Sequence, residues 1–274
     1  MASRQYGFSP LIVLASMSSH WNLLRQLTKR EIVGRYRGSL LGMLWAFLHP
    51  LIMLAVYTMV FRGAFGMRWE RAGESALDFG LLVFSGLIIH ALFAECVHRA
   101  PYLVVNHSNY VKKIVFPLEI LAWSSLGAAL FHATISALVL MLFYGLLHQS
   151  LHWTMLVIPL LFLPLALVTI GISWFLSSAG VFLRDLGHAS GPMTTVLLFL
   201  SPVFYPASAF PEAYRFLLYA NPLTFLITQA QDMLIWGKAP SWFGIGLYCV
   251  SSYLIAWIGL LWFQKTRKAF ADVL

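Results

Sequence analysis

The sequence predicts an all-α membrane protein with six transmembrane helices, an N-terminal amphipathic interface helix, and short re-entrant outer helices between spans five and six. Three observations predict it. Of 274 residues, 60% are hydrophobic and 10% charged, against about 25% charged in a soluble domain, and mean hydropathy is +0.78. Apolar runs of roughly 20 residues recur along the chain, each long enough at about 1.5 Å per residue to cross some 30 Å of hydrocarbon. The net charge of +8 comes from lysines and arginines at the ends of those runs, where they orient spans and give no reason to expect nucleic acid as a partner.

The elements follow in order. Leu11 to Met17 is a short apolar run after Arg4, but Ser18, Ser19 and His20 follow it and then a basic segment, so it reads as uncleaved. From Trp21 to Arg37, Trp21, Leu24, Thr28, Ile32 and Tyr36 recur at three- and four-residue spacing, with Arg25, Lys29, Arg30, Arg35 and Arg37 around them. That is the pattern of a helix lying in the membrane interface, although Leu23, Leu27 and Val33 fall off the stripe. Leu40 to Phe61 carries no formal charge and is the first span. A polar loop, Arg62 to Asp78, leads to the second span at about Leu77 to Val97, closed by Arg99. Residues 98–119 form a polar interval ending in YVKKIVFPLE.

Spans three and four, Ile120 to Leu147 and Leu151 to Leu183, are separated by His148, Gln149 and Ser150 alone, which makes them an antiparallel pair. Pro159 and Pro164 predict a tilted, kinked or interfacial start to the fourth. After Arg184 and Asp185 comes a fifth span, His188 to Phe204. Tyr205 to Ser241 is apolar but broken by Pro206, Pro211, Pro222 and Pro240, so it suits short helices dipping into the bilayer with their free backbone groups buried in protein. The sixth span, Trp242 to Phe263, ends at Lys265, Arg267 and Lys268. The whole, 1–274, is one transmembrane domain: an N-terminal segment 1–39, a bundle 40–264 and a tail 265–274. With both termini cytoplasmic, Arg62, Arg68, Arg71, Arg215 and Lys238 lie outside and the other thirteen of 18 lysines and arginines inside, a positive-inside bias.

No HExxH, CxxC, GxSxG or GxxxxGK[ST] motif occurs, so the chain is expected to have no catalytic residues, no metal site and no ATPase site of its own. Cys96 and Cys249 lie in spans and form neither a metal cluster nor a disulfide framework. The ionisable residues inside spans are His90, Glu95 and His132. A Glu95–Arg99 pair at i, i+4 is the reading preferred over a proton relay. An ion-coupled carrier, the alternative of another class, would need a free carboxylate or histidine at mid-membrane, and an intramembrane enzyme would need a polar catalytic cluster. Aromatic residues are abundant: 21 Phe, 11 Tyr and 10 Trp. Trp45, Tyr57, Trp153 and Trp242 suit interfacial belts. Phe84, Phe93, Trp123, Phe131 and Trp174 are deeper, and either pack the core, face lipid, or offer flat apolar faces along which sugar rings slide.

Three blocks in order, REIVGRYRGSLLGMLWAFLHPL, NYVKKIVFPLEIL and FLRDLGHASGPMTTVLLFLSPVFYPASAFPEAYRFLLYANPL, resemble the transmembrane subunits of type-2 ATP-binding-cassette exporters for polysaccharide and polyol phosphate, and within them the O-antigen and cell-wall polymer permeases. The likeness runs from about Arg25 to Lys268. His49 stands where the family more often has glutamine. The resemblance implies a homodimer in the bacterial inner membrane, bound to two copies of a separate ATPase subunit that carries the ATP and magnesium, and exporting a lipid-linked polysaccharide. The polymer would be O-antigen-like, with teichoic acid or capsule as the alternative.

It also implies an interface helix at Trp21 to Arg37 and a coupling helix between Arg99 and Phe116. Two intervals between spans face the cytoplasm, Arg99 to Phe116 and the short Arg184 to Gly187, so the ATPase-docking candidates are Asn106, Tyr110, Lys112, Lys113 and Arg184. Pro117 then stops the coupling helix. Topology is directly testable. Single cysteines at Glu74 and Ser208 are expected to react with an impermeant thiol reagent in intact cells and one at Asn109 only after lysis, so labelling of Asn109 from outside would reverse the assignment.

Overall fold

In a computed structural model, which describes residues 12–60, 76–112, 116–149 and 151–274, every regular element is a helix or 3-10 turn. The expected loop Arg62 to Asp78 falls almost wholly outside the described residues, as do Lys113 and the side chain of Lys112. Among the described residues, five helical stretches are long and apolar enough to cross a membrane: Gly42–Val60, Leu77–Leu103, Glu119–His148, Trp153–Phe182 and Trp242–Val273.

The chain opens with α1 (Ile12–Ser18) and α2 (Trp21–Tyr36). The face that α2 buries keeps Leu24, Thr28, Ile32 and Tyr36 of the expected stripe, each buried or half-buried, but adds Leu27 and leaves Trp21 out. Leu24 and Leu27 are buried against Ile120, whereas Trp21 is 55% exposed. The reason is a protein contact. At Gly127 of α6 (Glu119–His148), a Cβ would come within 2.9 Å of the Thr28 side chain, so α2 approaches that helix closely on its Leu24–Leu27–Thr28 side. Apolar spacing along α2 cannot reveal which stripe a neighbouring helix covers.

α3 (Trp45–Tyr57) is mostly exposed, while α4 (Ala76–Leu103) is the axis of the bundle. In its most apolar 18-residue window 78% of residues are buried, against 17% for the span containing α3. Helix α4 packs against α6, α7 (Phe162–Phe182), α8 (Leu186–Phe199) and α10 (Thr224–Ile235). It continues past Arg99 to Leu103, so the polar interval expected from residue 98 begins on the helix. The fourth span starts as a 3-10 turn, Trp153–Leu161, holding Pro159, before α7 takes over. The prolines predict a start that is tilted, kinked or interfacial, and the irregularity takes the form of this 3-10 segment, since a proline ring removes an N–H from the helical ladder. α7 and α11 (Trp242–Thr266) meet at small residues. A Cβ on Gly171 would come within 2.6 Å of the Ile255 carbonyl, and Gly259 faces Gly171 in return. Close backbone approach through such residues is how apolar helices gain contact where lipid removes the hydrophobic drive.

The expected fifth span is where the structure departs furthest from expectation. α8 has 14 residues, about 21 Å of rise and short of a hydrocarbon core of roughly 30 Å. It stops because Asn221 takes over its terminal acceptors. Asn221 Nδ2 donates to the carbonyls of Leu197 and Leu200 at 3.0 and 3.1 Å and to Ser201 Oγ at 2.8 Å, while its Oδ1 accepts from Leu223 N. The following helices, α9 (Arg215–Ala220) and α10, are short as expected, and their backbone ends are likewise met by protein. Thr224 Oγ1 donates to Leu218 O, Gln231 Nε2 to Pro202 O and Thr154 Oγ1 to Met233 O, at 2.6 to 3.0 Å. Replacing Asn221 by alanine removes the donor to the Leu200 carbonyl and Ser201 Oγ and the acceptor for Leu223 N, while Leu197 O keeps the Ser201 hydroxyl, and is expected to lower stability by about 2 kcal/mol, read as a lower thermal midpoint of the detergent-purified protein.

Candidate functional site

At the end of the bundle that carries most of the arginines, α2, α4 and α6 are joined by charge. Arg35 Nη1 donates to Glu95 Oε1 at 2.8 Å, and Arg99 Nη2 lies 2.8 Å from Glu31 Oε2. Ser124 Oγ donates to the other Glu31 oxygen at 2.7 Å. Arg99 also approaches Glu95 within its own helix, at 3.8 Å. The expected i, i+4 pair is therefore present but is the longer of the contacts; each partner has a shorter one on α2. His132 completes the cluster, its Nδ1 standing 3.0 Å from Arg35 Nη1 and 3.3 Å from Glu95 Oε2. That nitrogen can accept from the arginine or donate to the carboxylate, but one ring position cannot do both. Tyr36 packs edge-on against the His132 ring. Burial pushes the Tyr36 phenol above its ordinary pKa, with Arg35 opposing. His90, the third ionisable residue expected inside a span, stands apart and bonds the Thr194 carbonyl at 2.9 Å.

Cavities lie on both sides of this cluster. One of about 560 Å³ is bordered by Trp45, His49, Met53, Phe84 and Ser136, the other of about 590 Å³ by Arg30, Glu31, His98 and Arg99. Arg35, Glu95 and His132 line both, so the ion network is a shared wall between an outer basic recess and a mostly apolar cleft inside the bundle. Of the deep aromatics, Phe84 borders that cleft. Phe131 and Trp123 are half-buried, whereas Phe93 and Trp174 have no exposed face in the single chain. Trp174 packs edge-on to Trp123, and its Nε1 donates to the Glu119 carbonyl at 3.0 Å.

The docking candidates form a second surface at the same end. α5 (Ser108–Lys112) follows a 3-10 turn, Val105–His107, in which the His107 ring bonds the Leu103 carbonyl at 2.8 Å. His107 stacks on Tyr110 and Tyr110 on Phe116, with ring centroids 5.4 and 4.5 Å apart. Asn106 and Asn109 are exposed, as is Arg184. Tyr102 lies against Gly187, so the end of α4 adjoins the start of α8, the helix that follows Arg184. On α2, Arg25, Lys29 and Arg37 are exposed, and of the basic residues expected there Arg35 alone enters the ion network among the described residues.

Comparison with known proteins gives the arrangement a family. A model described as ABC-2 type transporter matches residues 22–235. The chain belongs to this family. It is 28% identical over 253 residues to an O-antigen export system permease protein, RfbA, of Myxococcus xanthus, covering 91% of this chain and 94% of the relative. It is 24% identical to the RfbA of Klebsiella pneumoniae, covering 93% and 95%, and 20% identical to the polysialic acid transport protein KpsM of Escherichia coli, covering 88% and 92%. The matched region of this multi-pass ABC-2 transporter takes in the ion network and the docking surface.

Sequence reasoning missed Glu31 as the partner of Arg99, and it counted Arg267 for topology alone. Arg267 instead donates to Glu119 and to the Phe116 carbonyl. One signal was available: Glu119 is an acid at the very start of an apolar run, which requires a partner. Glu95→Gln is expected to lower stability by about 1 kcal/mol, since Arg35 is half exposed. It is also expected to speed amide hydrogen exchange across α2, checked by mass spectrometry on the purified transporter. Unchanged α2 exchange would show that the Glu31 contacts with Arg99 and Ser124 and the burial of Leu24 and Leu27 hold this helix without the Arg35–Glu95 pair.

Proposed function

We propose that this chain is the permease half of an ATP-driven exporter that carries a lipid-linked, O-antigen-like polysaccharide out of the cytoplasm across a bacterial inner membrane. The observation that carries the reading is likeness to the RfbA permeases over more than nine-tenths of both chains, within a family match spanning α2 to α10. A capsular polymer is the second reading, favoured by the relative named for polysialic acid transport. In this proposal the protein works as a homodimer with two ATPase subunits, α8 serves as a short fifth span, both termini are cytoplasmic and α2 lies in the cytoplasmic interface. Two copies give a two-fold interface wide enough for a sugar chain, which six helices do not enclose alone. Phe84, Phe93, Trp123, Phe131 and Trp174 are the conduit candidates, with Phe84 supported by its place on the central cleft.

An ion-coupled carrier is disfavoured on charge. Glu95, the acid expected deep inside a span, is already neutralised by Arg35, and Asp78 and Glu119 at the span ends meet His148 and Arg267, so none of the three offers a free carboxylate to a travelling proton.

ATP is hydrolysed elsewhere in this reading, and its movement must arrive through a rigid contact. Asn106, Tyr110, Lys112, Lys113 and Arg184 are the candidates, and the stacked rings of His107, Tyr110 and Phe116 support a stiff element there. The function is tested by deleting the chain in its host and measuring surface polysaccharide, with export expected to return on complementation. The docking is tested by Asn106→Ala with Tyr110→Ala. That double variant is expected to insert normally but to lose the ATPase on copurification or to hydrolyse ATP without export. Normal export and copurification would move the main contact to α2.

A further inference from the structure

The tail beyond α11 does more than end the chain. A 3-10 turn, Arg267–Ala269, leads into α12 (Phe270–Val273). Phe270 is fully buried, with Phe182 and Phe263 rings 6.0 and 5.5 Å away, and α12 contacts both α5 and α7. These contacts hold Arg267 over the junction between α5 and α6. There Arg267 Nη1 donates to Glu119 Oε2 at 3.0 Å and Nη2 to the Phe116 carbonyl at 2.7 Å. The Glu119 side chain is 4% exposed and Arg267 29%. Glu119 is gripped from its main chain too, by the fully buried Trp174.

The geometry points to Arg267 as a positioning residue for energy coupling: by holding Glu119 and the Phe116 carbonyl at once, it fixes the angle between the ATPase-docking element and α6. This rests on the proposed docking role of α5. Three features carry it. Phe116 is the residue on which Tyr110 stacks, so the docking side chain and the arginine act on one residue from two sides. Residue 117 is proline, which removes a backbone donor at the bend and leaves its angle to side chains. A guanidinium presents two nitrogens in a fixed plane, so it constrains two acceptors relative to each other as a single ammonium cannot. A movement delivered to Tyr110 then passes to the start of α6 and is not absorbed at the bend.

The test uses the full complex with its ATPase in the native host, comparing ATP hydrolysed per unit of the host's own surface polysaccharide exported. Arg267→Met keeps the length of the apolar stem and removes both contacts. The complex is expected to assemble with ATP consumed per polymer raised roughly fivefold or more, the lower range of a coupling between sites. An unchanged ratio overturns the inference. Should the single variant fail to accumulate because Glu119 is left charged and buried, Glu119→Met with Arg267→Met removes the stranded charge. A raised ratio in that pair upholds the role, while a normal ratio, or renewed failure to accumulate, overturns it in favour of folding alone. The underlying docking reading fails separately. Normal coupling in the Asn106→Ala, Tyr110→Ala variant rejects α5 as the contact, whereas normal coupling in Arg267→Met beside an uncoupled double variant rejects the positioning role only.

Discussion

Hydrocarbon offers no hydrogen bond, so each polar group set between these helices has to be matched by another part of the same protein. That constraint accounts for most of what is specific in the fold. Apolar contact between membrane helices selects among arrangements weakly, because lipid tails are as apolar as leucine. The places where the structure is uniquely defined are therefore polar: Asn221 closing α8, Trp174 on the Glu119 carbonyl, His90 on the Thr194 carbonyl, and the carboxylates of Glu31, Glu95 and Glu119 each facing an arginine from a different helix.

Those three ion pairs share one end of the molecule, and together they bind α6 on two sides. Toward α2 and α4, Ser124 reaches Glu31 and His132 meets Glu95 and Arg35. Toward the C-terminus, Glu119 meets Arg267. In water such pairs would contribute little, since solvent screens them and side-chain entropy opposes them. Where burial is deep, as at Glu119, breaking one partner leaves an uncompensated charge. The pairs thus act as constraints on register and angle more than as sources of stability.

Helices long and apolar enough to cross a membrane were legible in the sequence, α4 at the centre of the bundle included, and the contacts between them were not. The four apolar runs up to Leu183 and the last one at Trp242 stand within a few residues of their helices, because length and hydropathy depend on the solvent alone. The fifth run has the composition of a span but ends early at Phe199, since Asn221, 22 positions later, takes its carbonyls. On α2 the covered face departs from the expected stripe at Trp21, exposed, and Leu27, buried, because α6 decides it. Within one helix the Glu95–Arg99 spacing was readable, yet both residues find shorter partners on α2, which no local rule contains. The candidate docking residues were visible as polar positions in an otherwise greasy chain. That Tyr110 and Arg267 converge on Phe116 required the fold.

The helix least bound by these contacts is α3. It meets α4 at Thr58 against Gly80 and α6 at Ala46 against Ile135 and Val139, while the cleft of about 560 Å³ and an apolar gap of about 510 Å³, lined by Leu54, Thr58, Leu77 and Phe143, border it on either side of these contacts. No buried ion pair ties α3 to the bundle among the described residues. Its sequence neighbour α2 is the helix that Arg35 and Glu31 fasten. Cavities beside an interface forfeit dispersion contacts where they lie, and α3 buries a smaller share of its residues than α7, whose backbone touches that of α11 at Gly171 and Gly259. The molecule divides into a tightly joined block, α4 with α6, α7, α10 and α11, and α3, which meets that block at Thr58 and Ala46 without an ion pair among the described residues. Because Arg35, Glu95 and His132 also form the wall of the central cleft, the contacts that fasten α2 are the same ones that separate the cleft from the basic recess.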